Sequence, residues 1–411
     1  MKIVYLHQYF NTPQMFGSTR SYEMARRLVR AGHEVHIVTS YRDQSNRIEE
    51  KLFHTVESGI NVHWIKNRYS NKMSFEERVR SFLRFALYSA LEASGLEGDV
   101  VLATSTPLTI ALPGVYTSRR NKIPMVFEVR DLWPASPIAI GALKNPFLII
   151  AAKWLERFAY KNASRIVTLA PGMKEAVLAT GYSEHCVKVI PNGADLEQFD
   201  VPPEIGHKLR KSLGWLQQRP LVVYAGTIGE VNGVDYLAHL AAATKEIDAN
   251  VRFAILGDGK DETRVKRIAK KVGVLNENFF MVGRVSKNQV PMWLSASNMA
   301  ISLIIDKKEL WINAVTNKFF DALAAGRPIA NNHGGWQTEI AIKAGAGLAI
   351  DSHDFKAAAE ELICALRDSS WIARASAAAK KLAQEHFSRD HLASMLEEVL
   401  MVAVANHRKR N

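Results

Sequence analysis

The stretch Thr316 to Asn331, TNKFFDALAAGRPIAN, decides how this chain is read. Upstream of it, the apolar run Met299 to Ile304 (MAISLI) has the length and composition of a buried strand. Asn317 and Lys318 are polar, and Phe319 to Ala325 form a short apolar helix. Gly326, just past the last turn, stops that helix together with Pro328, and Ile329-Ala330 opens the next strand. This order places Asp321 in the first helical turn, on a helix that points out of a sheet edge. A carboxylate there can accept two ribose hydroxyls, while backbone N–H groups and Lys318 face a phosphate-sized anion. The same order also describes an ordinary strand-loop-helix unit in which Asp321 only complements the helix dipole, and the segment alone leaves both readings open.

Outward from this block the pattern repeats. Leu221 to Ala225 runs into Gly226-Thr227-Ile228-Gly229, Val251 to Leu256 into Gly257-Asp258-Gly259, and Phe279 to Val282 into Gly283. Each strand ends in glycine, which lines one sheet edge with small residues where backbone can approach a ligand. The first half reads the same way. Strand Ile3 to Gln8 leads through the loop Tyr9 to Phe16 and Gly17-Ser18-Thr19 into an amphipathic helix from about Arg20 to Arg30, capped by Ser18 or Thr19, and Glu34 to Ser40 returns as a strand. Val62 to Ile65, a long helix from about Phe75 to Ala93, Asp99 to Thr104, Pro124 to Val129 and Arg165 to Leu169 continue a doubly wound series. Phe199 to Pro220 has the Pro, Gly and charged residues of a connector. The expected organisation is two Rossmann-like domains, residues 1–197 and 198–385, with 386–411 a helical end crossing back to the first.

Length and composition agree with two domains: 411 residues, 47% hydrophobic, no low-complexity tract. No apolar run approaches the roughly 18 residues of a membrane span. Met1 to Leu6 is brief and is followed by His7-Gln8, so it reads as a first strand rather than a signal peptide, with a cytoplasmic location expected. Cys186 and Cys364 show no metal or redox spacing and are expected to be packing residues. The formal charge of +12 calls for an anionic partner: nucleic acid, anionic lipid or a phosphorylated substrate. No nucleic-acid motif accompanies it, which disfavours the first.

These segments resemble the glycosyltransferase family 4 branch of the GT-B fold, and the likeness covers nearly the whole chain. It is carried by Tyr9-Phe10 and Gly17-Ser18-Thr19-Arg20, Ile190-Pro-Asn-Gly-Ala-Asp195, Leu256-Gly-Asp-Gly259, Val282-Gly-Arg-Val285 and the Asn317 to Pro328 block. Phe127-Glu128-Val-Arg130-Asp131-Leu-Trp133-Pro134 is similar to the subgroup that builds bacterial surface polysaccharides, including transferases of N-acetylated deoxyhexosamines such as N-acetylfucosamine. The resemblance implies an α/β GT-B architecture, two doubly wound domains facing an inter-domain cleft. It also implies a retaining transfer from a nucleoside-diphosphate sugar, preferably a UDP-sugar, with no metal and no other cofactor.

A site without metal must neutralise the leaving diphosphate with Arg, Lys and backbone N–H groups. Family members usually carry an Arg and a Lys after the first strand of the second domain, yet this chain has Thr227-Ile-Gly-Glu-Val-Asn-Gly233. The family's paired glutamates are altered too, with Asn313 at the first position and Asp321 at the second. Lys318, Arg20 and Arg284 are therefore the expected replacement cations. The resemblance places the donor on Gly17, Ser18, Arg20, Gly226, Thr227, Gly257, Gly283, Arg284, Asn317, Lys318 and Asp321. Gly334-Gly335-Trp336 either touches the donor or makes a tight turn with a packing Trp. On the acceptor side Glu128, Arg130 and Asp131 can orient a hydroxyl or anchor a phosphate, the alternative being an internal ion pair of Arg130 with Glu128 or Asp131. His7 and Gln8 end the first strand nearby.

Transferases of this kind act on sugars carried by a polyprenyl diphosphate, so a membrane-peripheral enzyme is expected. Phe75 to Leu91 (FEERVRSFLRFALYSAL) and Asn145 to Tyr160 (NPFLIIAAKWLERFAY) read as basic amphipathic helices that can lie in an interface or pack on a sheet. Two other functions stay open: a nucleotide-sugar 2-epimerase of the same fold, and an inactive GT-B partner subunit.

Overall fold

The computed structural model describes residues 1–411 except 16, 43–49, 71–72, 140, 142 and 410–411. The end of the Tyr9 to Phe16 loop thus lies outside the described residues. Two compact units divide the chain, Met1–Pro191 with Asp390–Asn411, and Asn192–Arg389. The sequence boundaries at 197 and 385 lie six and four residues away from these.

The first unit is an eight-stranded sheet built from β1 (Lys2–Leu6), β2 (Glu34–Tyr41), β3 (Leu52–Glu57), β4 (Ile60–Lys66), β5 (Val100–Thr104), β6 (Met125–Val129), β7 (Arg165–Thr168) and β8 (Val187–Val189). The order is β3-β4-β2-β1-β5-β6-β7-β8, parallel except for the β3–β4 hairpin. Alternate residues of each strand enter opposite cores: Ile3, Tyr5, Val100 and Leu102 face one helical layer, Val4, Leu6, Val101 and Ala103 the other. Burial on both faces is why these strands read as continuous apolar runs. The sequence reading omitted β3, an edge strand of mostly half-buried and exposed residues that lacks such a run. The helix Arg389–Arg408 lays Leu392, Leu396 and Leu400 on the Ile3 and Tyr5 face, and burying each contributes about 1.5–3 kcal/mol.

The second unit is a six-stranded, all-parallel sheet of β9 (Leu221–Ala225), β10 (Arg252–Leu256), β11 (Phe279–Gly283), β12 (Met299–Ser302), β13 (Ile329–Asn331) and β14 (Gly347–Ala349). Its order is β11-β10-β9-β12-β13-β14. The strand order reverses between β9 and β12 here and between β1 and β5 in the first unit, and the crevice at such a switch point is where doubly wound sheets bind ligands.

Two details of the opening block are corrected. β12 stops at Ser302, and the helix after it spans Asn317–Ala324, so it begins at Asn317 with Thr316 as N-cap. Asp321 accordingly sits one turn in rather than in the first turn. The polar pair Asn317-Lys318 is itself the first turn. Cys186 is half-buried and Cys364 exposed, so the latter is not a packing residue.

Candidate functional site

In the first unit the switch-point loops converge on a buried knot of charge. Arg20, the first residue of the Arg20–Arg30 helix, donates from Nε and Nη2 to Glu128 Oε1 at 3.1 and 2.9 Å, and from Nη2 to the Ile190 carbonyl at 2.9 Å. Its Nη1 donates to the Pro191 carbonyl, and the Thr104 hydroxyl covers Glu128 Oε2. Arg20 and Glu128 are almost wholly inaccessible. Burial pushes the Glu128 pKa up, but the guanidiniums of Arg20 and Arg130 with the Thr104 hydrogen bond outweigh it, so the carboxylate is held below its ordinary range.

Arg130, just past β6, turns its guanidinium to His7 and Ser18 rather than pairing with Glu128, the sequence alternative. Nη1 reaches His7 Nε2 at 3.1 Å and Nη2 the Ser18 hydroxyl at 3.2 Å, while Ser105 Oγ takes its backbone N–H at 2.9 Å. Burial, then the charges of Arg130 and Arg42, drives the His7 pKa well below the usual imidazole value. The neutral ring accepts from Arg130 at Nε2 and donates from Nδ1 to Ser21 Oγ at 2.9 Å. Asn11 fixes the preceding loop by donating to the Tyr9 and Ser18 carbonyls. Gly17, at φ +124°, leaves room for that amide, since a Cβ would lie 2.6 Å from Asn11 Nδ2. Asp131 stands exposed beyond this cluster.

In the second unit the Asn317–Ala324 helix presents its N-terminus beside the end of β9. Lys318 Nζ donates to Asn232 Oδ1 at 2.7 Å and lies 4.7 Å from the centre of the Tyr224 ring. Among the described residues no carboxylate pairs with it, and burial lowers its pKa to about 8. Asp321, one turn on, is partly reached by solvent. Burial raises its pKa to about 6 against the pull of Arg389 and Lys287, with Asp195 raising it further. Arg389 is held by Asp195 Oδ2 at 2.7 Å and the Gly193 carbonyl at 3.1 Å. Asn317 is exposed and accepts from Asn192 Nδ2 at 3.1 Å.

The glycines owe their place to packing as much as to any ligand. A Cβ on Gly226 would meet Lys318 Cε at 2.1 Å, and one on Gly257 would meet the Gly226 carbonyl at 2.0 Å. Side-chain-free backbone at these points lets the lysine cross the strand ends. The Gly283 carbonyl accepts from the Gly257 N–H at 2.8 Å. Thr227 is exposed, its carbonyl accepting from the Tyr224 hydroxyl at 2.8 Å. Arg284 lies 3.6 Å from Asp258, both half exposed. Trp336 belongs to the packing alternative: its Nε1 donates to the Ala314 carbonyl at 2.7 Å, and its ring joins Phe319, Phe320 and Phe387. Asn313 keeps a buried Oδ1 with no hydrogen-bond partner.

Residues 17–198 match Glycosyltransferase Family 4 and residues 207–382 match Glycosyl transferases group 1. The chain belongs to glycosyltransferase family 4. The transferase is 22% identical over 317 residues to the putative colanic acid biosynthesis glycosyl transferase WcaI of Escherichia coli K12, covering 74% of this chain and 76% of that one. It is 28% identical to the Escherichia coli UDP-Gal:alpha-D-GlcNAc-diphosphoundecaprenol alpha-1,3-galactosyltransferase over 40% of this chain and 42% of the relative. Among solved structures, Anabaena HepE in complex with UDP superposes with a TM-score of 0.75 at 16% identity over 98% of this chain and 100% of that one, which places the transferase in the GT-B fold.

Sequence reasoning missed Asn232 and Tyr224, the groups that hold Lys318. Asn232 stood in the very loop whose missing cations drew notice, but nothing local to it signals a lysine 86 residues away. Thr104 and the Ile190 and Pro191 carbonyls were missed for the same reason, since their roles exist only through long-range contact.

Proposed function

We propose that this transferase moves an N-acetylated deoxyhexosamine from a UDP-sugar to a sugar carried on a polyprenyl diphosphate, in bacterial surface-polysaccharide synthesis, with retention and without metal at the diphosphate. The observation that carries the reading is Lys318, a half-buried ammonium with no carboxylate partner among the described residues, on the first turn of a helix whose leading N–H groups suit an anion. Together they supply the positive charge that diphosphate departure requires. Asp321 accepts the ribose hydroxyls. Arg284 and the backbone of Gly226, Thr227, Gly257 and Gly283 border the nucleotide, and Asn317 completes the helix end. The leaving diphosphate itself takes the acceptor proton, so no protein nucleophile is required.

In the first unit the Gly17-Ser18 loop, Arg130 and exposed Asp131 form the face for the other reacting groups, while Arg20 and Glu128 position it. Arg20 is not assigned to the diphosphate, because its hydrogen bonds go to Glu128 and two carbonyls. The relatives support the substrate class: one is a transferase to GlcNAc-diphosphoundecaprenol, and a neighbour of the same fold is solved in complex with UDP.

A peripheral membrane location on the cytoplasmic face fits the same reading. The helix Phe75–Ser94 exposes Leu83, Leu87, Tyr88 and Leu91, and the helix Pro146–Asn162 exposes Phe147, Ile150 and Trp154. Exposed aromatic and aliphatic rows flanked by Arg84, Lys153 and Arg157 suit an anionic lipid surface.

The test is transfer from UDP-sugars to a polyprenyl-diphosphate-linked sugar in chelator. Lys318→Ala should lower kcat/KM about 10²–10³-fold, as removal of a principal charge-stabilising group does. Strict dependence on added divalent metal would overturn the metal-free part. Conversion of donor without acceptor would identify an epimerase, and failure to bind any nucleoside diphosphate an inactive subunit.

A further inference from the structure

A second cluster of titratable side chains lies in the first unit, at the β3–β4 edge of the sheet, apart from His7, Glu128 and Arg130 at the ends of β1 and β6. His54 on β3 and His63 on β4 are direct cross-strand partners, with ring centres 4.4 Å apart. Glu92, near the end of the Phe75–Ser94 helix, brings Oε1 to 2.7 Å from His63 Nδ1 and 3.3 Å from His54 Nε2. Behind them His63 Nε2 lies 2.9 Å from His36 Nδ1, and His36 Nε2 lies 2.7 Å from Glu34 Oε1.

This line is short of a proton. Three successive gaps, Glu34 to His36, His36 to His63 and His63 to Glu92, each bring two electron-rich atoms to hydrogen-bond distance. Two neutral imidazoles carry only two N–H groups. If these serve the first two gaps, His63 Nδ1 presents a lone pair to the Glu92 carboxylate, and that gap calls for a cation. His54 Nε2 converges on the same carboxylate oxygen, and the three ligand atoms lie within 4.8 Å of one another.

We propose that His54, His63 and Glu92 bind a divalent metal ion of the zinc class, with solvent completing the shell on the exposed His54 side. Two imidazoles and one carboxylate with an open position is an established donor set for zinc. Tetrahedral ligands at about 2.0–2.1 Å stand roughly 3.3 Å apart, so the His54 to Glu92 spacing already fits and the His63 to Glu92 pair opens by about 0.6 Å. Glu34 acting through His36 fixes the His63 tautomer with Nδ1 free for the ion, the arrangement that orients metal-bound histidines. The ion ties the edge hairpin β3–β4 to the helix that covers it. Its ligands are distinct from His7, Glu128 and Arg130 of the same unit, and the ion takes no part in transfer.

The experiment is calorimetric titration of the full-length, tag-free, chelator-treated chain with Zn²⁺, with Co²⁺ as a spectroscopic stand-in. Saturable binding of one ion is expected, with ligand-field bands in the cobalt form and a thermal midpoint that rises with Zn²⁺ concentration. His54→Gln and Glu92→Gln should each weaken binding at least tenfold and abolish the cobalt bands. His54 is exposed, so its variant folds, and circular dichroism checks this. No saturable binding, which is what a simple proton in the gap would give, or equal binding in both variants would overturn the proposal.

Discussion

Arg20 in the first unit and Lys318 in the second occupy matching places, the first turn of the helix at a switch point of a parallel sheet, and they are held in opposite ways. Arg20 is locked onto a buried carboxylate and two carbonyls, and Glu128 is correspondingly kept ionised. Lys318 rests on a neutral amide and the face of a ring, and burial weakens its hold on its proton. Asp321, three residues on, is destabilised as an anion, and Lys318 gives its hydrogen bond to Asn232 rather than to that carboxylate. The difference separates a cation that builds a loop from one that, on the proposed function, is left for a ligand. A fully compensated charge holds structure; an uncompensated one keeps free energy in reserve that an anionic ligand can release.

The largest expected effect breaks the first arrangement. Arg20→Ala leaves Glu128 buried without its main partner and should cost about 3–5 kcal/mol of folding stability in denaturant titration. Retained stability with weakened UDP binding would instead place Arg20 on the nucleotide. A smaller effect converts the second arrangement into the first. Asn232→Asp gives Lys318 a carboxylate at hydrogen-bond distance, which should raise the lysine pKa and weaken UDP binding about tenfold by calorimetry, since the ammonium is then already neutralised. Equal or tighter binding would show that Lys318 does not meet the diphosphate.

The smallest effect is the pH profile. The depressed Lys318 value makes its contribution to folding present above 10.5 and lost as pH falls through about 8, while the raised Asp321 value gives a contribution present below 3.8 and lost as pH rises through about 6. Between about 6 and 8 both groups are therefore charged and strained in the free enzyme. UDP affinity should peak in that window and fall about twofold at either edge. Asp321→Asn should remove the acid limb, and a flat profile in the parent enzyme would refute both assignments.

How much of this was legible in the sequence follows from the range of the interactions. Strand runs buried on both faces, glycine at strand ends and the Gly326 to Pro328 stop are local signals, so the doubly wound pattern could be read from residue order. The start of the Asn317–Ala324 helix was misplaced because Asn317 and Lys318 are poor markers of a helix interior. The edge strand β3 was missed because only one of its faces has anything to pack against. Glu128 and Arg130 were legible as chemistry-bearing groups at a strand end, but their partners were exchanged: Arg20, 108 residues away, takes the carboxylate, and Arg130 turns to His7 and Ser18.

The sequence by itself determined two parallel α/β sheets, the edge at which each presents its loops, and the presence of Lys318 and Asp321 where a short helix leaves that edge. These are consequences of periodicity and turn chemistry within about twenty residues. Only the tertiary structure decided which charges are compensated and which are not. Compensation depends on distances between side chains far apart in the chain and on the water excluded around them, and no local pattern encodes either.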